Sequence, residues 1–164
     1  MPTYFHKLNE CEEWCAKWYG EHINEYAKAN GLTECKVAEG KSGVTIQVEG
    51  IGAEWAFAKM HNIFPNTNVD GPNHVDFTMP SGMTVDVKST DHPRGNLLVP
   101  LRFNLKNSAD AFALVRGSTK DGFDYVGWVS AIDFFKKAEK RRMRDWMPLT
   151  WFFDASELNR ELMK

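Results

Sequence analysis

The stretch from His74 to Thr90 constrains the fold more than any other part of this chain of 164 residues. Two runs rich in Val, Phe and Thr, at 74–79 and 83–89, flank the tripeptide Pro80-Ser81-Gly82. Runs of β-branched and aromatic residues on either side of such a turn are typical of a β-hairpin. The sequence therefore predicts two antiparallel strands joined by a tight turn.

Alternation along the second strand divides its side chains between the two faces of the sheet. Asp86 and Lys88 project to one side. Val85 and Val87 project to the other, where we expect a core. Folding the hairpin about its turn brings Asp76 of the first strand towards Asp86. Two carboxylates and one ammonium group then converge at a sheet edge, and carboxylate oxygens are ligands that Mg²⁺ accepts.

A helix expected upstream of the hairpin carries a third carboxylate. Residues 50–60 open with two glycines and continue with small and aromatic residues, which predicts a helix with Glu54 in its first turn. The segment Gly43 to Val48, just before it, alternates in the manner of a strand. The segment 64–73, just after it, is dense in turn residues and predicts a loop.

The pattern of Asp76 followed by Asp86-Val87-Lys88 resembles the PD-(D/E)XK nuclease superfamily. Aspartate fills the D/E position, and no proline precedes Asp76. The Gly-Ala-Glu-x-Ala sequence at 52–56 looks like the superfamily's helix that supplies a glutamate to the metal site. The order helix, hairpin, strand, strand, helix is also similar, over about residues 46–160. The resemblance implies a restriction-endonuclease-like α/β fold, with a mixed central β-sheet and flanking helices.

The same resemblance implies Mg²⁺-dependent hydrolysis of DNA phosphodiester bonds, with endonucleolytic cleavage expected and Mn²⁺ as a substitute. Asp76 and Asp86 would hold the metal together with the Val87 carbonyl. Glu54 would add a ligand, directly or through water, and Lys88 would position the attacking water. The alternative is a non-catalytic module of the same or another fold that binds nucleic acid or protein.

Three strands are expected after the hairpin. Residues 96–101 form an apolar strand, and Pro100 indicates that it ends or lies at an edge there. Residues 111–116 are the most continuously apolar, which predicts a central strand. Residues 123–129 follow as the next strand, after a turn at 120–122.

The end of the chain predicts a long helix, a last strand and a short helix. Ser130 is a suitable N-cap, with Asp133 in the capping-box position, for a helix that continues through Arg144. A strand over 149–153 and a short helix over 154–158 follow.

Polar and positive side chains near the hairpin and on the Ser130 helix are candidates for DNA contacts, because such side chains supply most phosphate contacts. The dense positive stretch at 136–144 is typical either of a solvated helix face or of a phosphate-binding surface. The candidate DNA-binding residues are Ser89, Thr90, His92, Arg94, Arg102, Lys106, Lys140, Arg141, Arg142 and Arg144.

The N-terminal part of the chain predicts an amphipathic helix over residues 8–29, with Asn9 as N-cap and Glu12 completing a capping box. We expect this helix to pack either against the sheet or against a second subunit, and the second alternative would give a homodimer. The length fits one domain over 1–164, in which the helix packs on a nuclease-like core at about 44–164.

Composition limits the compartment and the class of partner. A net charge of −2 argues against simple coating of nucleic acid, although an acidic metal site in a nuclease lowers the net charge. Cys11, Cys15 and Cys35 lack a zinc spacing and predict reduced thiols in a cytoplasmic protein. The resemblance to small phage and bacterial nucleases implies a bacterial or phage-infected cell. We expect no signal segment and no membrane span. Motifs of other hydrolase classes, such as Gly-x-Ser-x-Gly or His-Glu-x-x-His, do not occur.

Overall fold

A computed structural model describes residues 3–31, 41–65, 67 and 75–164 of the chain. Within these residues the helices are α1 (Glu10–Ala29), α2 (Gly43–Met60) and α3 (Ala131–Lys137). The strands are β1 (Phe5–His6), β2 (Phe77–Thr78), β3 (Thr84–Thr90), β4 (Leu97–Pro100), β5 (Ala111–Ser118), β6 (Gly122–Ser130), β7 (Glu139–Arg141) and β8 (Thr150–Phe153). A 3₁₀ helix at Ala155–Glu157 follows β8.

The strands divide into a large and a small sheet. The large sheet has the order β1-β6-β5-β3-β2, and the small sheet has the order β4-β8-β7. Strands β3 and β5 are parallel, whereas the other pairs of the large sheet are antiparallel. The predicted α/β class, the mixed sheet and the central position of the 111–116 strand are confirmed. The separate small sheet was not predicted.

Apolar side chains cover both faces of the large sheet. On one face, Val85, Val87 and Ala113 pack with residues of α1 and α2. On the other face, Phe112 and Leu114 of β5 pack with the small sheet and with α3. Because burial of apolar surface is the main favourable term in folding, this two-sided packing fixes β3 and β5 in the interior. The polar groups of β3 are therefore accessible to a ligand from the edge of the strand.

Helix α1 begins as its sequence predicts. The Asn9 side chain accepts a hydrogen bond from Glu12 N at 2.9 Å, and Glu12 Oε2 accepts one from Asn9 N at 3.0 Å. This capping box satisfies two N–H groups that the first turn leaves without a helical partner. The Glu12 carboxylate also meets His6 Nε2 at 2.9 Å and Lys59 Nζ at 3.1 Å, which ties α1 to β1 and α2.

The predicted strand at 43–48 is wrong, since these residues form the first turns of α2. Ser42 caps the helix by accepting a hydrogen bond from Thr45 N at 3.2 Å. Val44, Val48 and Ile51 recur at helical spacing, although the first two also fit a strand alternation. Packing of α2 against α1 decides between the two, because tertiary contacts override weak local propensity.

The predicted helix from Ser130 to Arg144 is correct in its start and wrong in its end. Ser130 Oγ accepts a hydrogen bond from Asp133 N at 3.1 Å, but α3 ends at Lys137. Residue Ala138 is extended, and β7 then pairs with β8. The strand is favoured over the helix because it places positively charged side chains over aromatic rings. Arg141 Cζ lies 3.9 Å from the Phe152 ring, a contact that a solvated helix face would not provide.

Other features agree with the sequence or fall outside the described residues. Strand β4 ends at Pro100 and lies at an edge of the small sheet, as predicted. Cys11 and Cys15 are free thiols. Cys35, His74 and, within the predicted 64–73 loop, residues 66 and 68–73, including Asp70, are not among the described residues.

None of the helices in the described parts of the chain combines the length and the apolar character that crossing a lipid bilayer requires.

The contact between α1 and α2 gives a test with a matched control. An alanine Cβ at Gly20 would lie 2.7 Å from Val48 N, so the helices must separate, and we expect Gly20→Ala to lower the free energy of unfolding by about 1–3 kcal/mol. A Cβ at Gly50 in α2 meets no described neighbour within 4 Å outside its own helical turns. Gly50→Ala should therefore stabilise the protein by about 0.5–1 kcal/mol.

Urea unfolding of both variants, followed by circular dichroism, measures these changes. Equal stabilisation by the two substitutions would show that α1 and α2 do not touch at Gly20.

Candidate active site

At the edge of β3 next to β2, a side chain accepts a backbone hydrogen bond in place of a neighbouring strand. The Asp76 N–H donates to Val85 O at 2.9 Å, and the Val87 N–H donates to Asp76 Oδ2 at 2.7 Å. Strand β2 pairs only with the first part of β3. The Asp76 carboxylate therefore satisfies a strand N–H that β2 does not reach, as buried backbone donors require.

The Val87 carbonyl lies at the same edge. The N–H and C=O groups of one strand residue point to the same neighbouring strand. Since the Val87 N–H is directed to Asp76, its carbonyl oxygen is directed to that side too. A backbone oxygen and a carboxylate thus lie at the same edge of β3.

Asp86 and Lys88 form an ion pair on the face of β3 that looks towards the small sheet. Asp86 is only 4% exposed. Its Oδ1 lies 2.7 Å from Lys88 Nζ. A buried carboxylate is costly unless it is paired, so Lys88 stabilises the buried Asp86 in addition to any role in chemistry. The same ammonium nitrogen lies 5.7 Å from the centroid of the Phe103 ring.

Glu54, on α2, is affected by the charges of this group. Burial raises the pKa of Glu54 well above its ordinary value, and the charges of Asp76 and Asp86 raise it further, against the opposing charge of Lys88. Burial and the neighbouring Asp86 also raise the pKa of Asp76, to about 7. The four side chains predicted from the sequence therefore act as one cluster, which we call the carboxylate cluster (Glu54, Asp76, Asp86 and Lys88).

The position of Glu54 on its helix differs from the prediction. Because α2 begins at Gly43, Glu54 lies in the middle of the helix and not in its first turn. A helix interior holds a side chain more firmly than a helix end, where turns fray. The residue is half-buried beside Ala53 and Ala56, both fully enclosed.

The donor chemistry of the cluster fits a hard divalent cation. Among the described residues, no three His, Cys, Asp or Glu side chains are already arranged as a ligand group. Asp86 is instead paired with Lys88, and Asp76 with the Val87 N–H. The available donors are all oxygens, and burial together with the charges of neighbouring aspartates raises the pKa of Glu54 and of Asp76. Oxygen donors with excess negative charge are what Mg²⁺ selects.

The candidate DNA-binding residues after β3 lie in a loop with its own hydrogen bonds. Thr90 Oγ1 accepts from His92 N at 3.2 Å, and His92 Nδ1 accepts from Arg94 N at 3.1 Å. The Arg116 guanidinium donates to Gly95 O at 2.6 and 3.0 Å and anchors the loop. The side chains of Ser89, His92 and Arg94 are exposed at this end of the strand.

The remaining candidates lie around the small sheet. Arg102 Cζ is 4.8 Å from the Phe103 ring, and Lys140 Nζ is 5.2 Å from the Trp151 ring. Arg142 has a structural contact, since its Nη1 donates to Met147 O at 2.8 Å. Exposed side chains on this side belong to Arg102, Lys106, Lys140, Arg141, Arg142 and Arg144.

Phe103 is the residue of the site that sequence reasoning missed. It is 4% exposed and packs in the core between the large and small sheets. Trp151 Nε1 donates to its carbonyl oxygen at 3.2 Å. The ring thus connects the carboxylate cluster to the small sheet. A lone phenylalanine after a predicted strand carries no sequence signal for that position.

Comparisons of the chain with protein-family models, with curated proteins and with solved structures found no match. The geometry of the cluster is therefore the basis for its interpretation.

The raised pKa of Asp76 predicts a pH-dependent stability in the absence of metal. The folded state holds the proton up to about pH 7, whereas the unfolded carboxyl loses it near its ordinary value of about 4. This contribution to stability is complete below the unfolded pKa and is lost as the pH rises through about 7, by at most about 1.4 kcal/mol per pH unit. Asp76→Asn should reduce the slope of the profile, because an amide does not titrate, while the buried Glu54 still contributes.

Thermal unfolding in EDTA from pH 5 to pH 8 tests this expectation, with Asp145→Asn, an exposed loop carboxylate, as control. Identical pH profiles for Asp76→Asn and the wild type would contradict it.

Proposed function

We propose that the protein is a Mg²⁺-dependent nuclease that hydrolyses DNA phosphodiester bonds, with a fold of the restriction-endonuclease type. The observation that supports this most is the carboxylate cluster at the edge of β3, where Asp76 accepts a hydrogen bond from the Val87 N–H, Asp86 pairs with Lys88, and the charges of both aspartates act on Glu54. Three acidic groups forced together reduce stability at neutral pH. Chemistry at the site is a reason for a sequence to keep such an arrangement.

The donors that would hold the cation are the carboxylates of Asp76, Asp86 and Glu54 and the carbonyl of Val87. When bound, Mg²⁺ stabilises charge on the phosphoryl oxygens and lowers the pKa of a coordinated water. The protein contributes rigid placement, since Asp76 is fixed by the Val87 N–H and Asp86 is buried under the small sheet. Mn²⁺ has similar ligand preferences and would be a substitute.

Lys88 is the residue to which we assign the positioning of the nucleophilic water. Its ammonium is held at the cluster by Asp86 and by the face of Phe103. A fixed donor at this place can orient the attacking water and offset negative charge that builds on the phosphate. Hydrolysis then adds the elements of water across one P–O bond, with the leaving oxygen taking a proton.

The chain order of the elements supports a fold of the restriction-endonuclease type. Helix α2 precedes the β2–β3 hairpin, and α3 follows β5 and β6. Glu54, Asp76 and the Asp86-Val87-Lys88 segment occupy the helix, the entry to the first strand and the second strand, as the sequence pattern requires. The structure departs from the predicted single sheet in one respect. Strand β4 belongs to the small sheet, so β5 pairs with β3 in parallel.

The central test is Asp86→Asn. The amide keeps an oxygen for Lys88 but removes one negative charge that the cation needs, so we expect cleavage of plasmid and linear DNA in Mg²⁺ to be abolished while the fold survives. Asp124→Asn, an exposed position two strands away in the large sheet, is the matched control and should cleave like the wild type.

Thermal shift with Mg²⁺ gives a second readout, because a bound cation stabilises the folded state. Mg²⁺ should raise the melting temperature of the wild type more than that of Asp86→Asn. Full activity of Asp86→Asn would exclude this site. Absence of cleavage in the wild type, with DNA bound, would favour the non-catalytic module.

Lys88→Ala separates chemistry from binding. Loss of one preorganised electrostatic group lowers a cleavage rate by about 10²–10³-fold, and we expect a loss of that size in single-turnover assays. Metal binding should persist, since the carboxylates remain and a nearby positive charge is removed. DNA affinity, measured by anisotropy with Ca²⁺ in place of Mg²⁺, should fall far less than the rate.

Lys120→Ala, in the exposed turn between β5 and β6, is the control for a lost surface charge. A fall of rate and DNA affinity by the same factor would make Lys88 a binding residue and not a catalytic one.

A further inference from the structure

One end of the small sheet carries a concentration of exposed apolar side chains. Strand β4 ends where Pro100 pairs with Thr150, and β7 ends where Arg141 pairs with the same Thr150. The segments that follow β4 and β7 therefore leave the sheet together. Their exposed apolar residues, which we call the sheet-end surface, are Leu101 (36%), Leu105 (54%), Met143 (42%), Trp146 (50%) and Leu149 (44%).

Positive side chains lie beside the sheet-end surface. Strand β7 and the segment after it carry Lys140, Arg141, Arg142 and Arg144 with the acidic residues Glu139 and Asp145, in a chain whose net charge is −2. Arg141 is paired with Glu139. Arg102 and Lys106 adjoin the surface in the segment after β4 and are exposed. Large exposed apolar patches with a polar rim mark interaction sites, and here the rim is cationic.

The sheet-end surface adjoins the carboxylate cluster. Phe103 follows Leu101 and Arg102 in the chain, and its ring lies 5.7 Å from Lys88 Nζ. Its carbonyl is bonded to Trp151, over which Lys140 lies. Phe103 and Trp151 therefore connect the cluster to the segments that carry the sheet-end surface. The loop that carries Trp146 is held by the hydrogen bond from Arg142 to Met147 O.

The chemistry of the surface distinguishes between forms of DNA. Cations bind the phosphates of both duplex and single strands. An exposed aromatic side chain gains by stacking only on bases that are not already stacked in a duplex. A surface that offers both, beside a site for a phosphodiester, is complementary to a strand with unpaired bases.

We infer that the sheet-end surface binds unpaired nucleotides adjacent to the scissile phosphate, with Trp146 as a base-stacking residue. The inference rests on the proposed nuclease function and specifies its substrate class. The preferred substrate is single-stranded DNA, or a duplex with a single-stranded branch or overhang, over a blunt duplex. The cleaved bond lies next to the unpaired segment.

The test compares binding of two DNAs by the full-length protein in EDTA, where no cleavage occurs. A fluorescein-labelled single strand and its blunt duplex are titrated by anisotropy against the wild type, Trp146→Ala, Trp146→Phe and Ile132→Ala. Ile132 is 68% exposed on α3 and serves as the control for loss of an exposed apolar side chain. Loss of one stacking partner should weaken single-strand binding by roughly 5- to 150-fold in Trp146→Ala.

Duplex binding by Trp146→Ala should change little. Trp146→Phe should retain most of the single-strand affinity, because a phenyl ring still stacks, and Ile132→Ala should match the wild type. Equal losses on the two DNAs, equal losses in Trp146→Ala and Trp146→Phe, or no loss at all would overturn the inference. The last of these outcomes would point to a protein partner for the surface.

Cleavage in Mg²⁺ separates this inference from the proposed function. The wild type should cut the overhang DNA faster than the blunt duplex, and Trp146→Ala should lose that preference. A wild type that cuts both equally overturns the inference and leaves the nuclease standing. A wild type that cuts neither overturns the nuclease, and the anisotropy result then stands by itself.

Discussion

The hydrogen bond from the Val87 N–H to the Asp76 carboxylate is the interaction on which the site depends. It closes the edge of β3 with a side chain where β2 stops, so the edge offers oxygen donors in place of another strand. Strand β3 cannot shift to satisfy its groups elsewhere, because Val85 and Val87 are held by the helices and the face of Asp86 is covered by the small sheet. A strand enclosed on both faces thus presents its chemistry at one edge.

The same enclosure sets the electrostatics. Burial and mutual repulsion raise the pKa of both Glu54 and Asp76, and Lys88 offsets only part of that repulsion. Asp86 and Lys88 depend on each other, since either one alone would leave a buried or half-buried charge without its partner. A cluster of this kind lowers stability at neutral pH, and in the proposed function a hard cation would offset its negative charge. Stability and the proposed chemistry therefore oppose each other at these residues.

The small sheet has two roles that the chain order does not reveal. It buries Leu97 and Val99 against β5, which completes the core on the side opposite α1 and α2. The segment that follows β4 also brings the Phe103 ring to 5.7 Å from Lys88 Nζ. A structural layer and a candidate substrate surface are thus built from the same strands. The basic stretch at 139–141 contributes as an edge strand and not as a helix.

Local sequence signals determined much of this protein. The capping box of α1, the cap at Ser130, the hairpin around Pro80-Ser81-Gly82 and the apolar run of β5 each depend on neighbours in the chain, so pattern and propensity predict them. The shared face of Asp86 and Lys88 follows from strand alternation alone. Only the tertiary structure decided that 43–48 is helical, that 139–141 is a strand, and that Phe103 meets Lys88. Those outcomes depend on contacts between residues far apart in sequence, whose packing energy exceeds weak local preferences.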